Sequence, residues 1–253
     1  MQIISVPCLT DNYAYIIINN NSKTVGVIDP SEALPIISLL NKKNLKLNYI
    51  LNTHHHFDHI GGNIELKKKY NAKIVGFEGD KHRIPGIDIA LKNNEEWIFG
   101  DLKVKILHIP GHTLGHICFF FEKEKVAFTG DTLFSLGCGR IFEGSHKQML
   151  TSLNKIKKLP KNTKIYCGHE YTYKNAEFCI KYDTGNASLK KRFDVVKKLR
   201  IKNLPTIPTT LEDELSSNIF LRCDKNDLKF KLNMENQEDF KVFKKVRDLK
   251  DNF

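Results

Sequence analysis

The sequence predicts an α/β layered domain followed by a small, mostly helical appendage. Three observations lead there. Residues 1–170 alternate short β-branched or aromatic runs with turns and helical stretches. The hydrophobic share, 41% of 253 residues, suffices to bury a sizeable core in one large domain with a minor one attached. After about residue 172 the strand signals fade and helical periodicity takes over.

The strands expected, in order, are IISVP, YAYIII, TVGVID, YILNT, KIVGF, KVKILHI, HICFFFE, KVAFTG and KIYCGHE. Helices are expected at about 32–43, 61–70 and 145–158. The last carries Met149, Leu150, Leu153, Ile156 and Leu159 at the 3.6-residue period, with Ser145 as its N-cap. Strands mixed with surface helices define the layered class. Beyond residue 172, NAEFCIKY and SLKKRFDVVKKLRIK read as helices. LPTIPTT, with two prolines, reads as an extended connector, and LEDELSSNIFLR and QEDFKVFKKVRDLK as further helices. No internal repeat or low-complexity segment interrupts the chain.

Bulk properties exclude several classes. The six cysteines are scattered without a C-x-x-C pair, so neither a disulfide framework nor a cysteine-type zinc site is expected. The opening MQIISVPCLTDNY lacks the basic and apolar regions of a signal peptide, and the longest apolar run, ICFFF, is too short to span a bilayer. A soluble cytoplasmic protein is expected. The net charge of +11 is spread over many surface segments rather than gathered into one arm. It is read as solvated surface rather than as a nucleic-acid site, and its field favours an anionic substrate.

Four of the ten histidines fall in T-H-H-H-F-D-H, residues 53–59. A strand-like YILNT precedes this stretch and a helix-like IGGNIELKKKY follows it, which places it on a strand-to-helix loop. Alternate residues of an extended loop point the same way, so His54 and His56 can face one metal while His55 points elsewhere. Asp58 and His59, past the bend, can face a second ion. Each further candidate follows an expected strand: His112 in PGHTLGH, Asp131 in FTGDTLF and His169 in CGHEYT. Strand ends converge on one edge of a sheet, so distant residues can share a pocket. Seven donors exceed what one tetrahedral ion takes but fit two divalent ions bridged by a carboxylate. His116 is read as a supporting or core histidine, and His82, His108 and His146 as ordinary surface or core residues.

T-H-H-H-F-D-H contains H-x-H-x-D-H and, with His112, Asp131 and His169, resembles the metallo-β-lactamase superfamily. Within it, DNYAYII, HIPGHTLGHICFF, TGDTLFSLGCGRIFEGS, CGHEYT and the terminal VRDLKDNF are similar to glyoxalase II, the hydroxyacylglutathione hydrolases. The resemblance implies an αββα sandwich over residues 1–172, with a helical domain at 173–253 completing a glutathione site. It implies that His54, His56, His112 and Asp131 hold one ion, and Asp58, His59, His169 and the shared Asp131 a second. Zinc is the expected metal, with iron and manganese as alternatives. Arg140, Arg247 and Lys250 would hold the glycine carboxylate of glutathione, and Tyr171 its backbone. Phe142 stands where the family often has a hydroxyl-bearing aromatic, so packing without that hydrogen bond is expected. From the residues alone, Arg247 and Lys250 share a helix face opposite an apolar stripe of Val242, Phe243, Val246 and Leu249.

The implied activity is hydrolysis of S-(2-hydroxyacyl)glutathione thioesters, typically S-D-lactoylglutathione to D-lactate and glutathione in methylglyoxal detoxification. A hydroxide bridging the ions would attack the thioester, with Asp58 as the residue that orients it. A monomer is expected, with no nucleic acid and no membrane partner. The nearest rival is a mononuclear-iron glutathione persulfide dioxygenase, whose pattern does not need His169. A β-lactamase and a nucleic-acid-processing metallohydrolase fit the ligand set and the charge distribution less well.

Overall fold

A computed structural model describes every residue from Met1 to Phe253. The chain forms two compact units. The first comprises Met1–His108 and Gly115–Gly130, the second Ile109–Leu114 and Asp131–Phe253. Compactness therefore does not divide the chain at residue 172. Residues 131–171 group with the helices that follow, and hydrogen bonds within the second unit show why. Asn218 donates to the carbonyls of Phe134 and Gly137, the Cys179 thiol to that of Leu136, and the Leu136 amide to Glu214.

In the first unit, β1 (Gln2–Cys8) and β2 (Asn12–Ile18) form an antiparallel hairpin, and β3 (Val25–Ile28) pairs antiparallel with β2. Next come α1 (Ala33–Lys42), β4 (Tyr49–Leu51), α2 (Phe57–Ile60), α3 (Asn63–Tyr70), β5 (Lys73–Phe77) and β6 (Ile87–Leu91). Strands β3 to β6 run parallel, each to the next. Strands β7 (Glu96–Phe99), β8 (Leu102–His108), β9 (Ile117–Phe121) and β10 (Val126–Gly130) form an antiparallel meander. The alternation of the first sheet's side chains explains its two covered faces. Ile16, Val27, Ile50 and Ile74 pack on Ile36 and Leu40 of α1 and Leu66 of α3. On the other face Tyr15 meets Phe128, with ring centroids 5.5 Å apart, and Tyr49 meets Phe99 at 5.9 Å. Each large apolar side chain so buried contributes roughly 1.5–3 kcal/mol.

The parallel strands β3 and β4 end side by side, and Asp29 N donates to Leu51 O. This junction carries the loop of residues 53–56, so the loop starts from a rigid strand end rather than from open chain.

The second unit contains β11 (Leu133–Phe134), β12 (Gly137–Cys138), α4 (His146–Ile156), β13 (Lys164–Cys167), α5 (Thr172–Tyr182), α6 (Ala187–Ile201), β14 (Thr209–Thr210), α7 (Leu211–Ser217), α8 (Asn226–Lys231) and α9 (Asp239–Asp251). Its apolar centre includes Phe178, Phe220 and Phe243, all buried. The helix expected over LEDELSSNIFLR stops at Ser217. Asn218 is extended there, and its side chain caps a short 3-10 turn by accepting from Phe220 N. Strands β6, β7, β11, β12 and β14 and helices α2 and α8 were outside the sequence expectation. They are short, polar or half-exposed, and carry little periodic signal. No helix is long and apolar enough to cross a membrane.

Helix α4 begins as expected. Ser145 Oγ accepts from Gln148 N, and Gln148 Oε1 accepts from Ser145 N, a reciprocal capping box. Ser145→Ala is expected to destabilise the protein by about 1 kcal/mol. Urea denaturation should show a lower midpoint with an unchanged slope.

Candidate metal centre

The first unit supplies His54, His56, Asp58 and His59. Asp29, fully buried at the end of β3, organises them. Its carboxylate accepts from Thr53 N at 2.8 Å, from Thr53 Oγ1 at 2.6 Å and from His59 Nδ1 at 3.0 Å. A carboxylate accepts only, so His59 carries its proton on Nδ1 and keeps a lone pair on Nε2. Thr53 spends its hydroxyl proton on Asp29, so its oxygen accepts from His54 Nδ1 at 3.1 Å. His54 is thereby fixed in the same tautomer, with a lone pair on Nε2. Asp29, His54 and His59 lie close enough for one donor atom of each to fall within 4.8 Å of the others.

His54 Nε2 and His56 Nδ1 converge to 3.1 Å. Two imidazole nitrogens bound at about 2.0–2.1 Å to one tetrahedral ion stand roughly 3.3 Å apart, so this pair fits a shared metal. Asp58 Oδ2 lies 3.6 Å from His59 Nε2. His55 points away from this group, as expected. Its Nδ1 is 3.2 Å from the buried Asp80, which Arg83 also grips. His116 is no bystander: its buried ring stacks on that of His54, centroids 4.6 Å apart at 17°. Gly130, at φ +46°, permits this packing, because a Cβ there would run into Thr53 and His116.

The second unit supplies His112, Asp131 and His169, all buried. His112 Nδ1 donates to Arg140 O at 2.7 Å, which in the neutral ring puts the lone pair on Nε2. One oxygen of Asp131, Oδ2, lies 3.5 Å from His112 Nε2 and 3.2 Å from His169 Nε2. Gly139 sits where a Cβ would strike Asp131 O, so the backbone passes close to Asp131 and His112.

The expected substrate residues belong to the second unit. Arg140 is 58% exposed, with its Nε 3.4 Å from Asp251. Phe142 is exposed and sets its ring against His112, centroids 5.2 Å apart. Tyr171 stacks on His169 at 4.6 Å and 5°. Arg247 departs from the expected helix face. It is buried with Val242, Phe243 and Val246, because residues four apart share a side and Phe243 is its i−4 neighbour. Its Nη1 donates to Cys138 O at 2.8 Å and its Nη2 pairs with Asp251 at 3.1 Å. Lys250 lies over Phe178 and Phe253, 5.1 and 5.0 Å from the ring centroids. Burial, and then Arg247 nearby, hold its ammonium below the usual 10.5.

Sequence reasoning missed Asp29, Asn12 and Asp80. Asp29 had one signal, an acidic residue directly after the strand run TVGVI. Asn12 falls within the DNYAYII motif, but nothing there gave it a role, and Asp80 had no signal, since a lone Asp is ordinary.

Fold and donor set define a class. A model of the metallo-beta-lactamase superfamily matches residues 10–169. Among solved structures, the BLEG-1 B3 metallo-beta-lactamase superposes with a TM-score of 0.67 at 24% identity, over 87% of this chain and 99% of that one. ETHE1 from Myxococcus xanthus gives 0.68 at 22%, over 99% and 98%. The chain has the metallo-β-lactamase fold, with a His/Asp metal-binding cluster. A second model, the hydroxyacylglutathione hydrolase C-terminus, matches residues 170–253. The hydroxyacylglutathione hydrolase of Pelagibacter ubique is 54% identical over 253 residues, the whole of both chains. That of Methylococcus capsulatus is 44% identical over all of this chain and 99% of its own. The chain belongs to the hydroxyacylglutathione hydrolase family, a family of hydrolases.

Asp29→Asn is expected to weaken metal binding ten- to a hundredfold, roughly the effect of losing an outer carboxylate partner. The amide would present hydrogens to His59 Nδ1 and the Thr53 hydroxyl, disturbing both tautomers. Competition with a chromophoric chelator measures the change; unaltered affinity would remove Asp29 from the centre.

Proposed function

We propose that this chain hydrolyses S-(2-hydroxyacyl)glutathione thioesters, S-D-lactoylglutathione above all, at two divalent ions held by seven side chains. The observation that carries the reading is Asp131 Oδ2, which stands beside the Nε2 atoms of both His112 and His169. A single carboxylate oxygen beside two metal-competent nitrogens can belong to both sets of donors. On this reading His54, His56, His112 and Asp131 hold one ion, and Asp58, His59, His169 and Asp131 the other. His and Asp donors without cysteine suit zinc, with iron and manganese the other fits. When bound, such ions lower the pKa of a water toward about 7 and polarise the carbonyl under attack.

The chain's own residues do the rest. Asp58 orients the nucleophile, and His54, His59 and His112 present Nε2 because their Nδ1 protons go to Thr53, Asp29 and the Arg140 carbonyl. Arg140, Lys250 and Tyr171 hold glutathione. Arg247, its Nη1 and Nη2 turned to Cys138 and Asp251, adds positive charge and fixes the turn that carries Arg140. Phe142 supplies packing only. The helical segment 173–253 thus completes the glutathione site, and the metal-binding segment spans 1–172. The reading includes a cytoplasmic monomer with neither nucleic acid nor membrane as partner, acting in methylglyoxal detoxification. The persulfide dioxygenase alternative is disfavoured by His169 and by full-length relatives bearing the hydrolase name.

Thioester absorbance of S-D-lactoylglutathione should fall rapidly on enzyme carrying about two ions per chain. His169→Ala should abolish turnover and release one ion. Oxygen uptake with glutathione persulfide on a single iron, without thioester turnover, would overturn the proposal.

A pH dependence follows from Lys250. Its ammonium sits below the usual 10.5, so rising pH discharges it earlier than a solvated lysine. KM for the glutathione thioester should therefore rise in the alkaline range below 10.5 while kcat changes little. Lys250→Arg, which stays charged, should flatten the rise.

A further inference from the structure

The DNY segment near the start of the chain has no role in the reading above, yet its asparagine reaches the loop of residues 53–59. We propose that Asn12 is a positioning residue that sets the direction of the Asp58 carboxylate. The inference rests on the proposed role of Asp58 and deepens it.

Asn12 is the first residue of β2 and pairs with Cys8 across the hairpin. Its backbone position is therefore set by strand pairing rather than by the loop it serves. The side chain is 5% exposed. Its Nδ2 lies 3.0 Å from Asp58 O and 3.0 Å from Asp58 Oδ2. Both neighbours accept only, and the amide nitrogen has two hydrogens, so the amide orientation is settled and each hydrogen has its own acceptor. One group thus ties the backbone carbonyl and the carboxylate of the same residue together.

Asp58 needs such a tie. Its side chain is 39% exposed, and it sits in a four-residue helix that offers little rigidity of its own. A carboxylate so exposed samples several rotamers, and fixing it costs conformational entropy. The Asn12 amide holds Oδ2 in the arrangement that puts it 3.6 Å from His59 Nε2. Aspartate at position 12 would bring no hydrogens and a like charge. Alanine would remove the tie between the two acceptors.

A purely structural role, fastening the hairpin to α2, would affect folding but would not act through the Asp58 carboxylate. A double-mutant cycle separates the two. Asn12→Ala, Asp58→Ala and the pair are compared in metal affinity by chelator competition, in the absorption of the cobalt-substituted protein, in kcat and KM, and in thermal midpoint. Asn12→Ala should weaken binding of one ion ten- to a hundredfold and lower kcat to a similar degree, with KM within about twofold. Asn12→Asp should be worse, and Asn12→Ser, which keeps one donor, intermediate and safely folded. In the Asp58→Ala background, Asn12→Ala should change these quantities less than about twofold. Additive losses, or full affinity with an unchanged cobalt spectrum in Asn12→Ala and Asn12→Ser, would overturn the proposal. If the wild-type protein hydrolyses no thioester, the functional reading fails, while chelator competition still decides the role of Asn12.

Discussion

The buried carboxylate of Asp29 is the group on which the metal-binding loop depends. It is a non-glycine residue at φ +47°, a left-handed conformation that costs about 1–3 kcal/mol unless its surroundings determine it. They do so through three donors from Thr53 and His59. A buried charge stripped of such partners would be strongly destabilising, so each donor stabilises the carboxylate as much as the carboxylate positions the donor. The chain direction at the end of β3, the start of the histidine loop and two imidazole tautomers are therefore one coupled choice. His54 illustrates the depth of the coupling. Thr53 reaches it on one edge and His116 stacks on its face, so its ring has little freedom left.

The second unit reaches the same end with a different acceptor. The Arg140 carbonyl takes the Nδ1 proton of His112, as Asp29 takes that of His59. That carbonyl belongs to the turn after Cys138, which Arg247 holds from the helical segment. Residue 139 must be glycine for the turn to pass Asp131. An arginine expected only to grip substrate thus shapes the backbone that orients His112. Changes at Arg247 should consequently never be read as binding effects alone.

The legible part of the fold was what periodicity encodes. The long apolar strands and the helices α1, α3, α4, α5, α6 and α9 announce themselves, because burial of one face imposes a repeat. The donors were legible because T-H-H-H-F-D-H concentrates a rare residue type, and because His112, Asp131 and His169 each follow a strand. Asp29, Asn12 and Asp80 were not legible. Asp29 meets His59 30 positions away, Asn12 meets Asp58 46 away and Asp80 meets His55 25 away, and such spacing leaves no local pattern. The burial of Arg247 was misread for a related reason. A charged residue beside an apolar stripe is ordinarily solvated, and here the distant carbonyls of Cys138 and Gly139, with Asp251 one turn along the same helix, take the place of water. The division into units was hidden too, since it depends on which loops the C-terminal helices bind.

Asp251 adds a further constraint on how the second unit can receive an anion. It lies at the C-terminal end of α9, where a negative charge opposes the helix dipole, so something else must stabilise it. Arg247 and Arg140 do, one from a buried position and one from an exposed position. Arg140 approaches it through Nε, at 3.4 Å. A guanidinium offers five donors in a fixed fork, so a contact through Nε does not exhaust its capacity to meet a second carboxylate. Asp251 therefore aims Arg140 rather than blocking it. On the proposed reading, the substrate's glycine carboxylate meets a side chain already held in direction, and less entropy is lost on binding than a free surface arginine would lose.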